Sequence, residues 1–465
     1  MQDRPNLLFL FADQLRAASL PMYGETQIET PHLTRLAQES TLFTNAISTS
    51  PMCTPYRSML VTGRHPQTTG LLINSIRLRH DEIGIGDAFS AAGYRTGWVG
   101  KWHLHTGSWP ENNARDFVPR GRDRMGFQYW RTYNMHMTFF DGPVHLDNWD
   151  YERWEGYETK ALNRYAIDFM DSCGEEPFCL FVSPHPPHFT PGKFAPDEYY
   201  ERLPKHLTVP DNVPEPMRQR AAEQYRHYLA MTLAIDDMVG ELLEYLERAG
   251  KLDRTIFVFT SDHGTQMGAQ GVAPWAKKMP YEESINVPLM VRWPGVIPAG
   301  VSCDSLVAPV DFFPTLCGLC GIPYPQTVEG FDLSETWKGG KSAHEQEAVL
   351  TTNFSETHDY LVNGNEWRGV RTKEYSYARW LSGKVVLYDL RNDPLQLRNL
   401  ADDPSARSLR EQAERTLERL MAERGDALVP SESYADWYDN QRRVIRNAFG
   451  PLPHPESEPD WSFAS

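Results

Sequence analysis

No apolar run in this 465-residue chain approaches the ~20 residues that a membrane span needs. The N-terminal run Leu7 to Ala12 is short, follows Arg4-Pro5 and stops at Asp13, so it reads as a buried strand and not as a secretory leader. The expected location is cytoplasmic, or periplasmic if a leader has been removed, with no membrane partner. Cysteine is sparse: six residues, at 53, 173, 179, 303, 317 and 320, make no disulfide framework for a chain of this size. Cys317 and Cys320 lie in the apolar stretch Phe312 to Cys320, where cysteine serves as a small hydrophobe and not as a metal or redox pair. Positive charge is in deficit. Forty-six Lys and Arg against 62 Asp and Glu leave a net charge of -16, which argues against nucleic acid as a partner. An anionic small substrate must then be drawn in by local cations.

What is present suits a soluble globular protein with a large core: 40% hydrophobic and 23% charged residues. Apolar runs recur at Leu7 to Ala12, Gly97 to Gly100, Phe178 to Val182, Ile256 to Thr260 and Leu289 to Val291. Continuous runs of this kind, without polar alternation, predict parallel strands covered on both faces. Leu233, Met238, Val239, Leu242, Leu243 and Leu246 keep helical spacing, with Gly250 placed to end that helix. The fold class is therefore α/β, a large and mostly parallel sheet sandwiched by helices. Ligands in such sheets bind beyond the carboxyl ends of the strands, where Asp13, His103, His188 and Asp262 fall.

After residue 345 the texture changes. Strand-like pieces at Trp367 to Arg371, Tyr375 to Trp380 and Val385 to Leu390 precede one amphipathic helix. Leu409, Ala413, Leu417, Leu420 and Met421 mark its buried side and Gly425 its end. The expected organisation is a catalytic unit over 1–345, an antiparallel α+β subdomain over 346–430 and a tail over 431–465. That tail, rich in Pro, Ser and acidic residues, is expected to be a loose arm or a strap between copies of the chain.

The most informative run is Cys53-Thr54-Pro55-Tyr56-Arg57. Pro55 suits the first position of a helix, where its missing N–H costs nothing. Cys53 then stands at the helix mouth, where unpaired N–H groups and the dipole favour an anion. Arg57 follows about one turn, ~6 Å, further on, and helical side chains point back toward the N-terminus. Nucleophile and anion clamp are thus predicted together. Asp13-Gln14 and Asp262-His263 each follow a strand, and carboxylate, amide and imidazole at one sheet edge suit a divalent cation, Ca²⁺ or Mg²⁺ with Mn²⁺ open. In Gly100-Lys101-Trp102-His103, an extended backbone would put Lys101 and His103 on one face, fit for binding an ester oxygen and moving a proton.

These motifs resemble those of the formylglycine-dependent sulfatases of the alkaline phosphatase superfamily. Cys-x-Pro-x-Arg at Cys53, Ser261-Asp262-His263-Gly264, Gly-Lys-Trp-His at Gly100, Pro-Pro-His at His188 and Trp-x-Lys…Tyr-Glu at Trp275 to Glu282 occur in the expected order. The Leu387-Tyr388-Asp389-Leu390 run and Asn399 extend the likeness through the C-terminal region. Two departures stand out: Tyr56 where the family more often has Ser, and Gln14 where many members carry a second Asp. The resemblance implies an alkaline-phosphatase-like core, Cys53 oxidised to formylglycine by a maturation enzyme, and one divalent metal, Ca²⁺ favoured, held by Asp13, Cys53, Asp262 and His263.

By the same resemblance Lys277, and not its neighbour Lys278, belongs to the site, His188 faces substrate while His185 is structural, and Asn74 and Gln14 bind substrate. The implied mechanism has one hydroxyl of the formylglycine hydrate attack sulfur while Arg57, Lys101 and Lys277 hold the ester oxygens. His188 or Lys277 protonates the leaving alcohol, and His103 helps the second hydroxyl to expel sulfate. The implied substrate is a small-molecule or oligosaccharide sulfate ester. A phosphonate monoester or phosphodiester hydrolase is the alternative, since the Asp-Gln pair also occurs in phosphonate monoester hydrolases, but those tend to lack the Lys101 and His103 equivalents. A catalytically dead glycan binder is disfavoured because every polar motif position is filled. Ten aromatics between Phe127 and Tyr157 form a candidate stacking wall for a sugar, with Asn134, His136 and His145 as polar contacts, or else ordinary core packing.

Overall fold

The computed structural model describes residues 4–106, 117–148, 150–340 and 345–464. Its frame is a ten-stranded sheet built from β1 (Asn6–Ala12), β2 (Thr41–Ile47), β3 (Arg95–Lys101), β4 (Tyr129–Tyr133), β5 (Pro143–His145), β6 (Tyr151–Arg153), β7 (Phe178–Ser183), β8 (Thr255–Ser261), β9 (Asn286–Arg292) and β10 (Val301–Val307). The spatial order is β10-β2-β9-β8-β1-β7-β3-β4-β5-β6. The centre, β8-β1-β7-β3-β4, is parallel, while β9 runs antiparallel to both β8 and β2. All five apolar runs seen in the sequence are strands of this sheet.

Successive residues of β1 explain why those runs show no polar alternation. Leu7, Phe9 and Phe11 enter one core with Trp98, Phe181 and Val258. Leu8, Leu10 and Ala12 enter the other with Leu180, Val182 and Phe259. The first core is closed by the helix Phe312–Cys320 and the second by the 34-residue helix Glu215–Arg248. With both faces apolar, the polar groups of the central strands are confined to their ends.

A second sheet, β11 (Ala348–Asn353), β12 (Trp367–Thr372), β13 (Tyr375–Trp380) and β14 (Val385–Asp389), is an antiparallel meander. The helix Arg407–Glu423 covers one face through Ala413, Leu417, Leu420 and Met421. Trp367, Trp380 and Tyr388 on the other face pack against Tyr281. The Ser355–Glu366 connection between β11 and β12 reaches back to the carboxyl edge of the large sheet.

The tail is not a loose arm. Its backbone is stitched to its own chain: Ala448 N donates to Gln67 O at 3.0 Å, His80 N to Pro455 O at 3.0 Å and Tyr438 OH to Gly70 O at 2.8 Å. Arg79, buried, donates to the carbonyls of Val444, Pro453 and His454. Its aromatic and aliphatic residues are therefore anchors on the connection leading away from the Cys53 helix. No helix among the described residues is long and apolar enough to cross a membrane.

Candidate active site

Four strand ends and one helix start converge at the carboxyl edge of the central sheet. Asp13 follows β1, Lys101 closes β3, His185 and His188 follow β7, and Asp262 and His263 follow β8. The connection from β2 is pinned to the same edge by Ser48 Oγ, which donates to Asp262 O at 2.6 Å, and it leads into the helix Cys53–Thr62. That helix begins at Cys53, so Pro55 occupies its third position and not its first. Proline costs nothing there either, because the third N–H of a helix has no intrahelical acceptor. The N–H of Thr54 is capped from outside, by Asn74 Oδ1 at 3.0 Å.

Two glycines let the strand ends close up. A Cβ on Gly100, at φ +95°, would lie 2.3 Å from Ser183 O, and one on Gly264 would lie 2.0 Å from Glu283 O. The strand expected to carry both Lys101 and His103 stops at Lys101. His103 has φ +57°, so the two side chains reach the site by a turn and not by strand alternation. Thr54 Oγ1 holds that turn by donating to His103 O at 2.8 Å.

Asp13, Cys53, Asp262 and His263 offer ligand atoms that all lie within 4.8 Å of one another, and all four residues are buried. His263 Nε2 is 3.4 Å from Cys53 Sγ and 3.5 Å from Asp262 Oδ1. Its Nδ1 lies 3.0 Å from Gly264 O, which fixes Nδ1 as the protonated nitrogen and leaves Nε2 with its lone pair. Gln14 uses its amide nitrogen on Thr265 Oγ1 at 2.9 Å and Trp275 O at 3.1 Å, so the carbonyl oxygen is the end of that side chain left to accept or ligate. Two carboxylates, one imidazole lone pair and an amide oxygen are the donor chemistry of a hard divalent cation.

Around this cluster the charges are unusually dense. Lys101 Nζ lies 2.6 Å from Asp13 Oδ2 and 3.6 Å from Cys53 Sγ. Lys277 Nζ lies 3.2 Å from Cys53 Sγ, 3.1 Å from His188 Nε2 and 3.4 Å from His263 Nε2. Burial and Asp13 would raise the Cys53 thiol, yet Lys101 and Lys277 draw it down to about 5. Burial would raise Asp13 as well, but Lys101, Lys277 and Arg57 hold it well below the carboxylate range. Asp262 goes the other way, pushed up to about 6 by burial and by Asp13. Burial and the neighbouring lysines keep His103 and His188 neutral.

Several expectations change in detail. Arg57 is not a wall of the cavity: its Nη2 donates to Asp13 Oδ2 at 3.1 Å and Asp262 Oδ2 at 3.2 Å, and its Nη1 to Lys101 O and Ser183 Oγ, both at 2.8 Å. It organises the carboxylates from beneath. Lys278 is not solvated; it is buried, donates to Glu356 O, and is lowered by burial to about 8. His185 lies 3.3 Å from Lys101 Nζ through Nε2, while its N–H donates to Glu158 Oε1 at 2.7 Å.

A cavity of about 280 Å³ opens over Cys53. Gln14, Asn74, His103, His188 and Lys277 line it, as expected. Its apolar wall is a surprise. The aromatics from Phe127 to Tyr157 go elsewhere: Phe127, Trp130, Tyr133, Phe139, Trp154 and Tyr157 are buried core residues, and Trp149 lies outside the described residues. The segment reaches the cavity through Met135 and Met137 instead, and the rings that line it are Phe189 and Trp275, 5.7 Å apart. His136 stacks on Tyr133 at 3.8 Å, Asn134 bonds the backbone of His105, and His145 packs on Phe117. Sequence reasoning also missed Ser75, His358 and Asp359, which line the same cavity. His358 and Asp359 arrive on the β11–β12 connection, some 300 positions after Cys53, with no motif to announce them.

The sulfatase family matches residues 5–322, and the C-terminal family of N-sulphoglucosamine sulphohydrolase matches residues 272–423. An ulvan-active sulfatase of Formosa agariphila is 34% identical over 444 residues, covering 94% of this chain and 84% of that protein. An endo-4-O-sulfatase of Bacteroides thetaiotaomicron is 30% identical, covering 94% of each. The crystal structure of a putative sulfatase from Bacteroides fragilis superposes with a TM-score of 0.79 at 28% identity, over 93% of this chain and 98% of that one. With Cys53, two carboxylates and two lysines gathered at one sheet edge, the chain belongs to the sulfatase family and is a sulfuric ester hydrolase.

Proposed function

We propose that the protein hydrolyses a carbohydrate sulfate ester, using residue 53 as formylglycine and one divalent cation. The observation that carries this reading is the position of Cys53 at the first turn of a helix, with Asp13, Asp262 and His263 within ligand distance and Lys101 and Lys277 flanking its side chain. The carbohydrate is inferred from relatives named for ulvan and for endo-4-O-sulfatase activity. Asp13, Asp262 and His263, with Gln14 beside them, would hold the cation, which supplies positive charge and acidifies a neighbouring hydroxyl. Oxidised to formylglycine, residue 53 supplies a geminal diol, one hydroxyl to accept the sulfuryl group and one to expel it, a route closed to a thiol.

The surrounding side chains do the rest. Lys101 and Lys277 are fixed positive charges where the ester oxygens gain negative charge, preorganised and shielded from water. His188 Nδ1 is 2.7 Å from Phe189 O and so carries the proton, which leaves Nε2 to accept from Lys277. That tautomer makes Lys277 the acid for the leaving alcohol, with His188 orienting it. His103 lines the cavity and is kept neutral by burial and the Lys101 charge, as a base for the second hydroxyl requires. Arg57 keeps the two carboxylates apart and aligned.

Two measurements test the proposal. Peptide mass after co-expression with a formylglycine-generating enzyme should show residue 53 as an aldehyde and not a thiol. Cys53→Ala should abolish hydrolysis of 4-nitrophenyl sulfate while the thermal transition stays near that of the parent; turnover comparable to the parent would refute it. The Asp13-Gln14 pair keeps phosphorus esters as a second reading, and a phosphonate or phosphodiester turned over faster than the sulfate would favour it.

A further inference from the structure

Resting on that reading, we infer that Asp359, with His358, selects the alcohol side of the substrate: a single sugar ring that presents a free hydroxyl beside the sulfate ester and no second anion there. The starting point is a charge out of place. Asp359 is the one carboxylate among the described residues that line the cavity, which otherwise offers Lys277, histidines and amides to an anion. A negative charge in an anion-binding cavity weakens binding of every sulfate ester, so its place there fits a ligand group that it recognises. Ionised carboxylates accept only, with room for several donors, and adjacent hydroxyls of a sugar supply such donors.

Asp359 is held in a built position. Its Oδ1 accepts from Ser75 Oγ at 3.2 Å, and His358 O accepts from Asn74 N at 2.9 Å. Asn74 is the same residue that caps the Cys53 helix, so the recognition loop and the nucleophile share one anchor. Ser75 adopts φ +60°, a left-handed conformation that costs a non-glycine residue energy and is retained where the surroundings enforce it. The loop is braced within itself by Ser355 Oγ donating to Tyr360 O at 2.7 Å, and from outside by Lys278 donating to Glu356 O. His358 is kept neutral by burial and by Lys277 and Lys278, so it can both donate to and accept from a hydroxyl.

The remaining walls fit the same ligand. Phe189 and Trp275 give an aromatic surface for a ring face, and Met135 and Met137 an adaptable apolar one. A volume of about 280 Å³ lies at the small end of ligand pockets and takes one ring. A cationic alcohol would also be drawn to Asp359, but Lys277 stands in the same cavity and Lys278 close behind it.

The test compares kcat/KM of the matured protein and of Asp359→Ala and Asp359→Asn on galactose and N-acetylglucosamine monosulfates, their disulfated counterparts, choline sulfate and 4-nitrophenyl sulfate. Asp359→Ala should lower the sugar-monosulfate over aryl-sulfate ratio at least about tenfold, the loss of hydrogen bonds to a charged acceptor. Asp359→Asn, which removes the repulsion, should raise the disulfate over monosulfate ratio by a similar factor. Unchanged ratios, an equal loss on every substrate, or a parent enzyme that prefers a disulfate or choline sulfate would overturn the inference and leave the sulfatase reading standing. A parent enzyme with no turnover of any of these sulfate esters would overturn both.

Discussion

Two buried charge clusters in this protein look alike in composition and differ in how they are completed. In the second sheet, Arg368 is fully buried against Asp426, with Nε and Nη2 donating to the two carboxylate oxygens at 2.6 and 2.9 Å. Nη1 donates to Asn353 O and Trp367 O, the second N–H of Nη2 lies between Tyr434 OH and Ala427 O, and the guanidinium lies 4.2 Å over the ring of Phe354. Every donor is used and the charges cancel. At the carboxyl edge of the large sheet, two carboxylates and the Cys53 thiol, drawn down to about 5, face three cations, Arg57, Lys101 and Lys277, one of which formylglycine at residue 53 would leave unmatched. Here Arg57 Nε, His103 Nδ1 and His185 Nδ1 find no partner in the protein. Burying unpaired polar groups destabilises a fold, so the second cluster persists because it serves something other than stability. The first is architecture; the second is a site waiting for charge to arrive.

That contrast can be broken from either side. Lys277→Met should lower kcat/KM on aryl sulfate by about 10³-fold, as removal of a preorganised transition-state charge does, and shift the unfolding midpoint little. Arg368→Ala should do the reverse. Stranding Asp426 as an uncompensated buried charge should destabilise the protein by about 3–5 kcal/mol in denaturant titrations, with kcat/KM of the folded enzyme close to that of the parent. If Lys277→Met unfolds the protein, or Arg368→Ala silences it while folded, the division of the two clusters into site and architecture is wrong.

The central sheet was legible because its signal is local: five apolar runs name the strands, and the polar residues that follow the four parallel ones name the edge where ligands bind. The cluster at Cys53 was legible for the same reason, since Asp13, Lys101, Asp262 and Lys277 each sit in a short motif. What failed depended on contacts far apart in the chain. Strands β2, β10 and β11 are flanked by no distinctive run, and their place follows from pairing. Composition could not separate a sugar platform from core in the aromatic segment, because Trp98, Trp102, Trp130 and Phe127 satisfy one another in the interior. The apolar wall of the cavity came from Phe189 and Trp275, each beside a motif residue, His188 and Lys277, whose charge chemistry masked the ring's place. Arg57 was placed on the right element, but helix geometry alone could not say that Asp13 and Asp262 would capture its guanidinium.

Glu158 offers the smallest and sharpest probe of the border between the two kinds of cluster. It is buried beside the site, accepts from Tyr133 OH at 2.5 Å and from the N–H of His185 at 2.7 Å, and its Oε2 has no protein partner. Burial pushes its carboxyl up to about 8, the hydrogen bonds from Tyr133 and His185 and the Lys101 charge only partly opposing the rise. Because the folded-state value exceeds the unfolded one, the folded protein holds a proton that the unfolded chain releases. The stability associated with that proton is complete below about pH 4.5 and lost as pH rises toward 8. Glu158→Gln keeps the shape and cannot ionise, so the parent should lose stability relative to this variant across that window, by no more than about 1.4 kcal/mol per pH unit. Parallel thermal midpoints for the two proteins from pH 5 to pH 8 would mean that Glu158 is ionised in the fold. It would then belong with the charged site and not with the neutral frame that holds His185 against Lys101.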